Sequence, residues 1–292
     1  MSSKFGGQAL IEGIMIRGAL RAAVVVRKED GTFVEKTYET SSWAIGKIRN
    51  IPILRGLVVL VDTLIIGTKA LNFSAYVSSE DMDVELYEEN KQSPWAVIPV
   101  VIFSFVFAIG IFFIVPILIS NIFEGFGFNS LITNAIEGIL RLLFLIGYIW
   151  LISLSKEIQR VFQYHGAEHM AVAAFENDED LEIEKLKKYP TEHPRCGTSF
   201  LITIFVIALI IFMFFPREPL WFLVSSRLIL IPLLVAVSYE IIRFSGSKEN
   251  GFLFKIISWP GIFLQKITTK KPNDEQLELA IHCMKLAIKE NK

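Results

Sequence analysis

Cysteine and histidine are scarce here: the 292 residues hold two of the first and four of the second. Two cysteines cannot build a disulfide framework of the kind that staples small secreted domains. Basic residues are not in excess either. The formal net charge is −1 and no basic recognition motif is present, which argues against a nucleic-acid partner. The opening stretch MSSKFGGQALIEG lacks an apolar h-region and is not read as a signal peptide. What the chain has in abundance is apolar side chains. They make up 52% of the residues, and the mean hydropathy is +0.49. That excess over an ordinary soluble domain points to a membrane protein.

Scarcity makes clustering informative. Three of the four histidines, His165, His169 and His193, fall between Tyr164 and Phe200 together with Cys196. His165-Gly-Ala-Glu168-His169 is an H-x-x-E-H pattern, the inverse of the zinc-protease H-E-x-x-H motif. On a helix, positions i and i+4 share a face, so both imidazoles can reach one ion. Glu168 lies beside them, where a general base for an activated water would stand. Glu176, two turns beyond His169, returns to the same face as a further ligand or as an acceptor for an imidazole N–H. His193-Pro194-Arg195-Cys196 adds an H-x-x-C pair on a tight turn, and imidazole with thiolate favours zinc over magnesium or calcium. An isolated H-x-x-E-H arises by chance and most scattered His and Cys are structural; the second pair is what makes the metal reading the stronger one. Four protein ligands would close the site and make it structural, whereas three leave room for catalysis.

Around this stretch the chain reads as an α-helical integral membrane protein with about four transmembrane helices, interfacial helices and a small N-terminal β-rich element in the cytoplasm. Residues 1–50 form that element: Arg21–Val26 and Thr32–Glu39 are strand-like around an Asp30-Gly31 turn. In the preceding Gly-flanked run from Gly6 to Gly18, Gln8, Glu12 and Arg17 are candidate functional polar groups, but the pattern favours an ordinary half-buried strand with Glu12 and Arg17 facing solvent. Residues 51–94 form an interfacial helix and an acidic loop; Arg55, Asp62 and Lys69 recur every seven residues as a narrow polar stripe on an apolar helix, and Ser78–Lys91 is the loop. Residues 95–242 form the membrane domain. Its spans are Trp95–Phe123, Ile139–Ser155, Thr198–Phe215 and Leu220–Ile242, and its loop 156–197 carries the His/Cys cluster. The second span is expected to run on through Glu176 as one long helix. Residues 243–292 hold an interfacial segment, split at Trp259-Pro260-Gly261, and an amphipathic helix from Asn273 on which His282 and Cys283 lie. Within the fourth span Arg227 and Glu240 are candidate functional groups, Glu240 either approaching the histidines or pairing with Arg243.

GGQALIEGIMIRG, RVFQYHGAEHMAVAAFE, HPRCGTSF, SYEIIRF and PGIFLQKITTKKPNDEQLELAI together resemble the marker segments of YqhQ-type bacterial membrane proteins, the family known as domain of unknown function 1385 and described as predicted metal-dependent enzymes. The resemblance covers nearly the whole chain. It implies one multi-span domain in a bacterial cell membrane and a metal at His165, His169, His193 and Cys196; it implies no particular reaction. From these residues the leading expectation is a zinc-dependent hydrolase acting on a membrane-associated substrate, with Glu168 as general base and Arg195 or Tyr164 steadying an oxyanion. The rival is a non-catalytic scaffold or insertion factor that uses a closed zinc site as a clip and docks a membrane-protein partner. Transport along Asp62, Arg227 and Glu240 is a weaker third reading, since no repeat is evident.

Lysine and arginine set the orientation. Asn121–Gly138 contains neither and Pro216–Pro219 only Arg217, whereas the N-terminal region, Lys156–Gly197 and the tail hold nearly all the rest. Both termini and the His/Cys loop are therefore expected in the cytoplasm. Cysteines introduced at Ser2 and Asp180 should both resist an impermeant thiol reagent in intact cells; labelling at Ser2 with protection at Asp180 would reveal a further span within residues 51–77.

Overall fold

Residues 13–27 place apolar side chains at odd and even positions alike, so a sheet built from them must be covered on both faces. In the computed structural model, which describes residues 5–46, 51–79, 94–245 and 252–291, it is. Strands β1 (Gly6–Leu10), β2 (Gly13–Arg17), β3 (Arg21–Arg27) and β4 (Phe33–Glu39) form an antiparallel meander in chain order. The glycine-flanked run is thus a hairpin and not a single strand: Ile11 and Glu12 turn the chain, with Glu12 at φ 50°. The β3–β4 turn at Asp30-Gly31 has Gly31 at φ 84°, a conformation that favours glycine.

Twelve α-helical stretches follow among the described residues. The first group is α1 (Ser42–Ile45), α2 (Leu54–Val77), α3 (Pro94–Ile109), α4 (Val115–Gly125), α5 (Ser130–Ile152) and α6 (Lys156–Glu176). The second is α7 (Ile183–Leu186), α8 (Gly197–Phe212), α9 (Leu220–Ile229), α10 (Ile231–Ser245), α11 (Phe252–Thr268) and α12 (Asp274–Glu290). One face of the sheet, through Leu10, Met15, Val24 and Val26, packs on Ile66, Ala70, Phe73 and Val77 of α2. The other, through Ile14, Ile16, Ala23 and Val25, packs on Ala167, Met170 and Ala171 of α6 and on Leu277, Ala280, Cys283 and Met284 of α12. Residues 54–77 are therefore a helix packed on protein along much of one side. Their polar stripe is a set of ties. Asp62, fully buried, accepts from the Arg17 guanidinium and from the Ser41 N–H at 3.2 Å. Arg55 donates to Glu240 of α10. Arg17 is consequently not a solvent-facing strand residue. The acidic connection expected at Ser78–Lys91 lies, beyond Ser79, outside the described residues.

The remaining helices form an apolar bundle. Ile102–Gly125, continuous through a π-helical turn at Gly110–Ile114, and α5 are each long and apolar enough to cross a membrane. The pair α9–α10, bent by 41°, makes a third if counted as one span. Phe103, Phe105, Leu118 and Leu143 stand more than half exposed along α3–α5, as side chains facing lipid do. At ~1.5 Å per residue α8 is about 24 Å long, short of the ~30 Å apolar core of a bilayer. Length and composition thus support two or three spans where four were expected.

Two boundaries differ from expectation. The second span begins earlier, at Ser130, and ends at Ile152; residues 153–155 then turn before α6 begins, so the two helices are separate. Serines at 153 and 155 compete for local backbone hydrogen bonds and favour helix ends. Conversely, Trp259-Pro260-Gly261 does not split its segment: α11 runs through it, and Gly261 lets Ser199 of α8 pack where a Cβ would collide. Asn273 caps α12, its side chain accepting from the Gln276 N–H while the Gln276 side chain accepts from the Asn273 N–H.

The Arg17–Asp62 pair carries the sheet–α2 junction. Removing one partner of a buried pair strands the other charge, so Arg17→Ala and Asp62→Ala should each cost about 3 kcal/mol. A double-mutant cycle read by chemical unfolding in detergent should return a coupling of at least ~1 kcal/mol; additive losses would remove the pair from this role.

Candidate metal centre

Helix α6 delivers His165, Glu168 and His169 to the junction between sheet and bundle. Each of the two imidazoles is held from behind by a main-chain carbonyl. His165 Nδ1 lies 2.8 Å from the oxygen of Thr268, at the end of α11, and His169 Nδ1 lies 2.6 Å from the oxygen of Thr191. A carbonyl only accepts, so both Nδ1 atoms carry the proton and both Nε2 atoms present a lone pair. These lone pairs converge on Cys196, whose Sγ lies 3.2 Å from His165 Nε2. The ligand atoms of His165, His169 and Cys196 all fall within 4.8 Å of one another. Two imidazoles with fixed tautomers and one thiol are a donor set that fits zinc, and the carbonyls are the outer partners that orient ligating histidines in such sites. Burial also lowers the pKa of His169, its proximity to Cys196 opposing this in part, which keeps the ring neutral as a ligand must be.

His193 is beside this group, its ring centroid 5.7 Å from that of His169, but its nitrogens are engaged elsewhere. Its Nε2 faces the Glu176 carboxylate at 3.2 Å and its Nδ1 accepts the Arg195 N–H at 3.3 Å. Gln265 of α11 clamps the same residue, accepting from the His193 N–H at 2.7 Å and donating to its carbonyl at 2.9 Å. Glu176 also takes the Arg195 guanidinium. It therefore serves as acceptor for His193 and Arg195, not for the two histidines of α6.

Glu168 is 3% exposed, with an oxygen 3.6 Å from His169 Nε2. Burial pushes its carboxyl up to about 7, the facing His165 and His193 opposing the shift and Glu176 adding to it. The carboxylate sits directly on β1. A Cβ at Gly7 would occupy the space of its Oε1 and Cγ atoms, so glycine is required there by close approach. Glu168, His169, His193, Arg195 and Cys196 line a cavity of about 470 Å³ together with Val59 and Leu60 of α2, Phe200 and Tyr239. That volume lies within the range of small-molecule sites.

Tyr164 is not at this cavity. Its phenol is buried and donates to Glu12 at 3.1 Å, on the β1–β2 turn, and burial raises its pKa. Glu12 is also bound by the Arg160 guanidinium, so it is a tie between sheet and α6 and not a solvent-facing residue. The side chain of Gln8 packs against α2 at Gly67. Glu240 approaches neither the histidines nor pairs first with Arg243; Arg55 holds it. Asp62, Glu240 and Arg227 thus sit in three separate ion pairs, the last with Glu137, and do not line one path. His282 contacts Glu35 at 2.6 Å and Cys283 is in the core. Thr191, Thr268 and Gln265 carried no sequence signal, because a carbonyl acceptor can be any residue; the glycine pair at Gly6-Gly7 was the only hint of the close approach.

The family model described as protein of unknown function (DUF1385) matches residues 51–290. The uncharacterized protein YqhQ of Bacillus subtilis (strain 168) is 33% identical over 287 residues, covering 95% of this chain and 90% of that protein. No solved structure matches.

If Gly7 is glycine to admit Glu168, Gly7→Ala should destabilise the protein by about 1–3 kcal/mol and become nearly neutral once Glu168→Ala has emptied the space. Thermal unfolding of the four proteins in one detergent measures this. Equal losses in both backgrounds would assign the glycine to strand geometry alone.

Proposed function

The chain belongs to the DUF1385 family, and from that premise we propose that it is a zinc-dependent membrane enzyme: a hydrolase whose centre faces the cytoplasm and acts on a membrane-associated substrate. The observation that carries this reading is the three-residue donor set. His165, His169 and Cys196 converge, while His193 is turned to Glu176 and Arg195. Three ligands leave a coordination position free, the mark of catalytic as opposed to structural zinc. Glu168, Cys196 and His169 border the same cavity.

Zinc held there would supply Lewis acidity, polarising a carbonyl and lowering the pKa of water to ~7. Glu168 accepts the proton of the attacking water, and its burial favours the protonated carboxyl that then passes the proton to the leaving group. Gly7 keeps that carboxylate pressed against β1, limiting its rotation. Arg195, poised between Glu176 and the cavity, offers positive charge to an oxyanion. The apolar wall from α2 and α10 suits a membrane peptide, an amide or a lipid-linked group. The membrane frame is read as four spans, α3–α4, α5, α8 and α9–α10, with both termini and the centre on the cytoplasmic side by lysine and arginine asymmetry.

One observation favours the rival, non-catalytic role: a bound ion would tie α6 to the 191–196 turn and, through Thr268, to the end of α11. Coordination separates the two. Protein purified without chelator should carry one zinc per chain. His165→Ala, His169→Ala and Cys196→Ala should abolish binding, whereas His193→Ala and Glu168→Gln should retain it. Zinc-edge spectroscopy should give one sulfur, two nitrogens and a lighter exchangeable ligand. One sulfur with three nitrogens, lost in His193→Ala, would establish the clip, and absence of zinc would sink both. Given a substrate, Glu168→Gln should lower turnover by ~10²–10⁴.

A further inference from the structure

The apolar bundle encloses a second polar cluster, remote in sequence from the histidines. Arg141 of α5, Arg217 in the α8–α9 connection and Arg227 of α9 have side chains no more than 6% exposed, and all three point at Glu137 of α5, itself 2% exposed. Arg217 donates to Glu137 at 2.8 Å and to Asn134 at 2.8 Å, and Arg141 donates to Glu137 at 2.6 Å. Arg227 reaches Glu137 at 3.3 Å and Asn134 at 3.1 Å. Three guanidinium groups against one buried carboxylate leave an excess of two positive charges. Glu124, 39% exposed and 3.0 Å from Arg217, lowers the excess to one from the rim. In an apolar bundle an uncompensated charge costs several kcal/mol, so such groups are paired or functional.

Arg141 is the member with the fewest polar partners, donating to Glu137 alone. Its Nε is buried with no hydrogen-bond partner among the described residues. Its guanidinium lies 4.9 Å from the ring of Phe113 and 5.7 Å from that of Phe212. Beside it is a cavity of about 230 Å³ with Glu137, Arg141 and Asn134 at its polar part and Phe205, Leu209, Leu234 and Val235 among its apolar walls. The cavity is partly open to the outside, and Leu201 on its wall is 37% exposed. The volume is below the ~300 Å³ at which pockets enclose a whole drug-sized ligand.

We propose that this cavity binds an anionic amphiphile, its acidic head at Arg141 and its acyl chain along the apolar wall, with the rest of the chain in the surrounding lipid. The head neutralises the surplus guanidinium charge of the cluster. The slot, being both narrow and apolar, selects a hydrocarbon chain over a small soluble anion. A carboxylate and a phosphodiester share this chemistry, so a free fatty acid and an acidic phospholipid are its two sources. This site is separate from the metal centre and does not depend on the function proposed for it.

Detergent-released protein titrated with palmitate, phosphatidylglycerol and phosphatidylcholine, and read by native mass spectrometry, tests the assignment. One palmitate or one phosphatidylglycerol per chain should bind at least ~10-fold more tightly than phosphatidylcholine. Preference for palmitate names the carboxylate and preference for phosphatidylglycerol the phosphodiester. Arg141→Gln should remove the preference, and Ala208→Leu, at an alanine of α8 that lines the cavity, narrows the slot without touching a charge and should weaken both anionic ligands by a similar factor. If Arg141→Gln does not fold, Ala208→Leu still decides. Equal binding of all three lipids, or anionic binding unchanged in a folded variant, would overturn the proposal.

Discussion

Two main-chain carbonyls hold the centre of this molecule in place. By taking the Nδ1 protons of His165 and His169, the oxygens of Thr268 and Thr191 set both tautomers and turn both lone pairs towards Cys196. Neither acceptor is on α6. One ends α11 and the other lies on the turn that returns the chain to α8. The histidines can converge only if α6, α11 and that turn are all docked, and Gln265 secures the docking by bonding both main-chain groups of His193. The geometry of the donor set is thus an outcome of how the membrane-side helices meet the sheet, and a loosening of either would be felt there first.

The sheet contributes the opposite wall. It is buried on both faces, between α2 and the pair α6–α12, and β1 lies against α6 closely enough that only glycine fits at position 7. Ion pairs then connect segments far apart in the chain: Arg17 with Asp62, Arg55 with Glu240, Arg160 with Glu12. Each charge brought into an apolar setting is matched by one from another element, as desolvation demands. These pairs join the soluble-looking sheet layer to helices of the bundle, so the two parts share one interior. The arginine cluster around Glu137 departs from that matching, which is what distinguishes it from the other polar contacts.

Cys196 stands where the two parts meet. It is the N-cap of α8, its sulfur accepting the Thr198 N–H at 3.4 Å and lying 3.1 Å from the Thr198 hydroxyl. The same residue therefore starts an apolar helix and faces the histidines, with no linker between that helix and the site. Part of the apolar cavity wall comes from α2 and α10, whose N- and C-terminal ends are joined by Arg55 and Glu240.

Much of this was legible in the chain itself. Apolar runs gave the helices of the bundle, the strand-like runs on either side of Asp30-Gly31 gave two of the four strands, and the clustering of His165, His169 and Cys196 named three residues that the fold brings together, because helical periodicity and ligand chemistry are local properties. What the sequence left open was decided by partners distant along the chain. Asp62 could be a solvent-facing or a membrane-facing charge until Arg17 was brought to it. Tyr164 could serve a site until its phenol was seen to meet Glu12. The sequence could not show that the nitrogens of His193 face Glu176 and the Arg195 N–H. The tautomers rest on carbonyls that any residue could have provided. Composition and periodicity determined what kinds of groups this protein places together; only the tertiary packing, by the requirement that each buried polar atom find a partner, decided which group faces which.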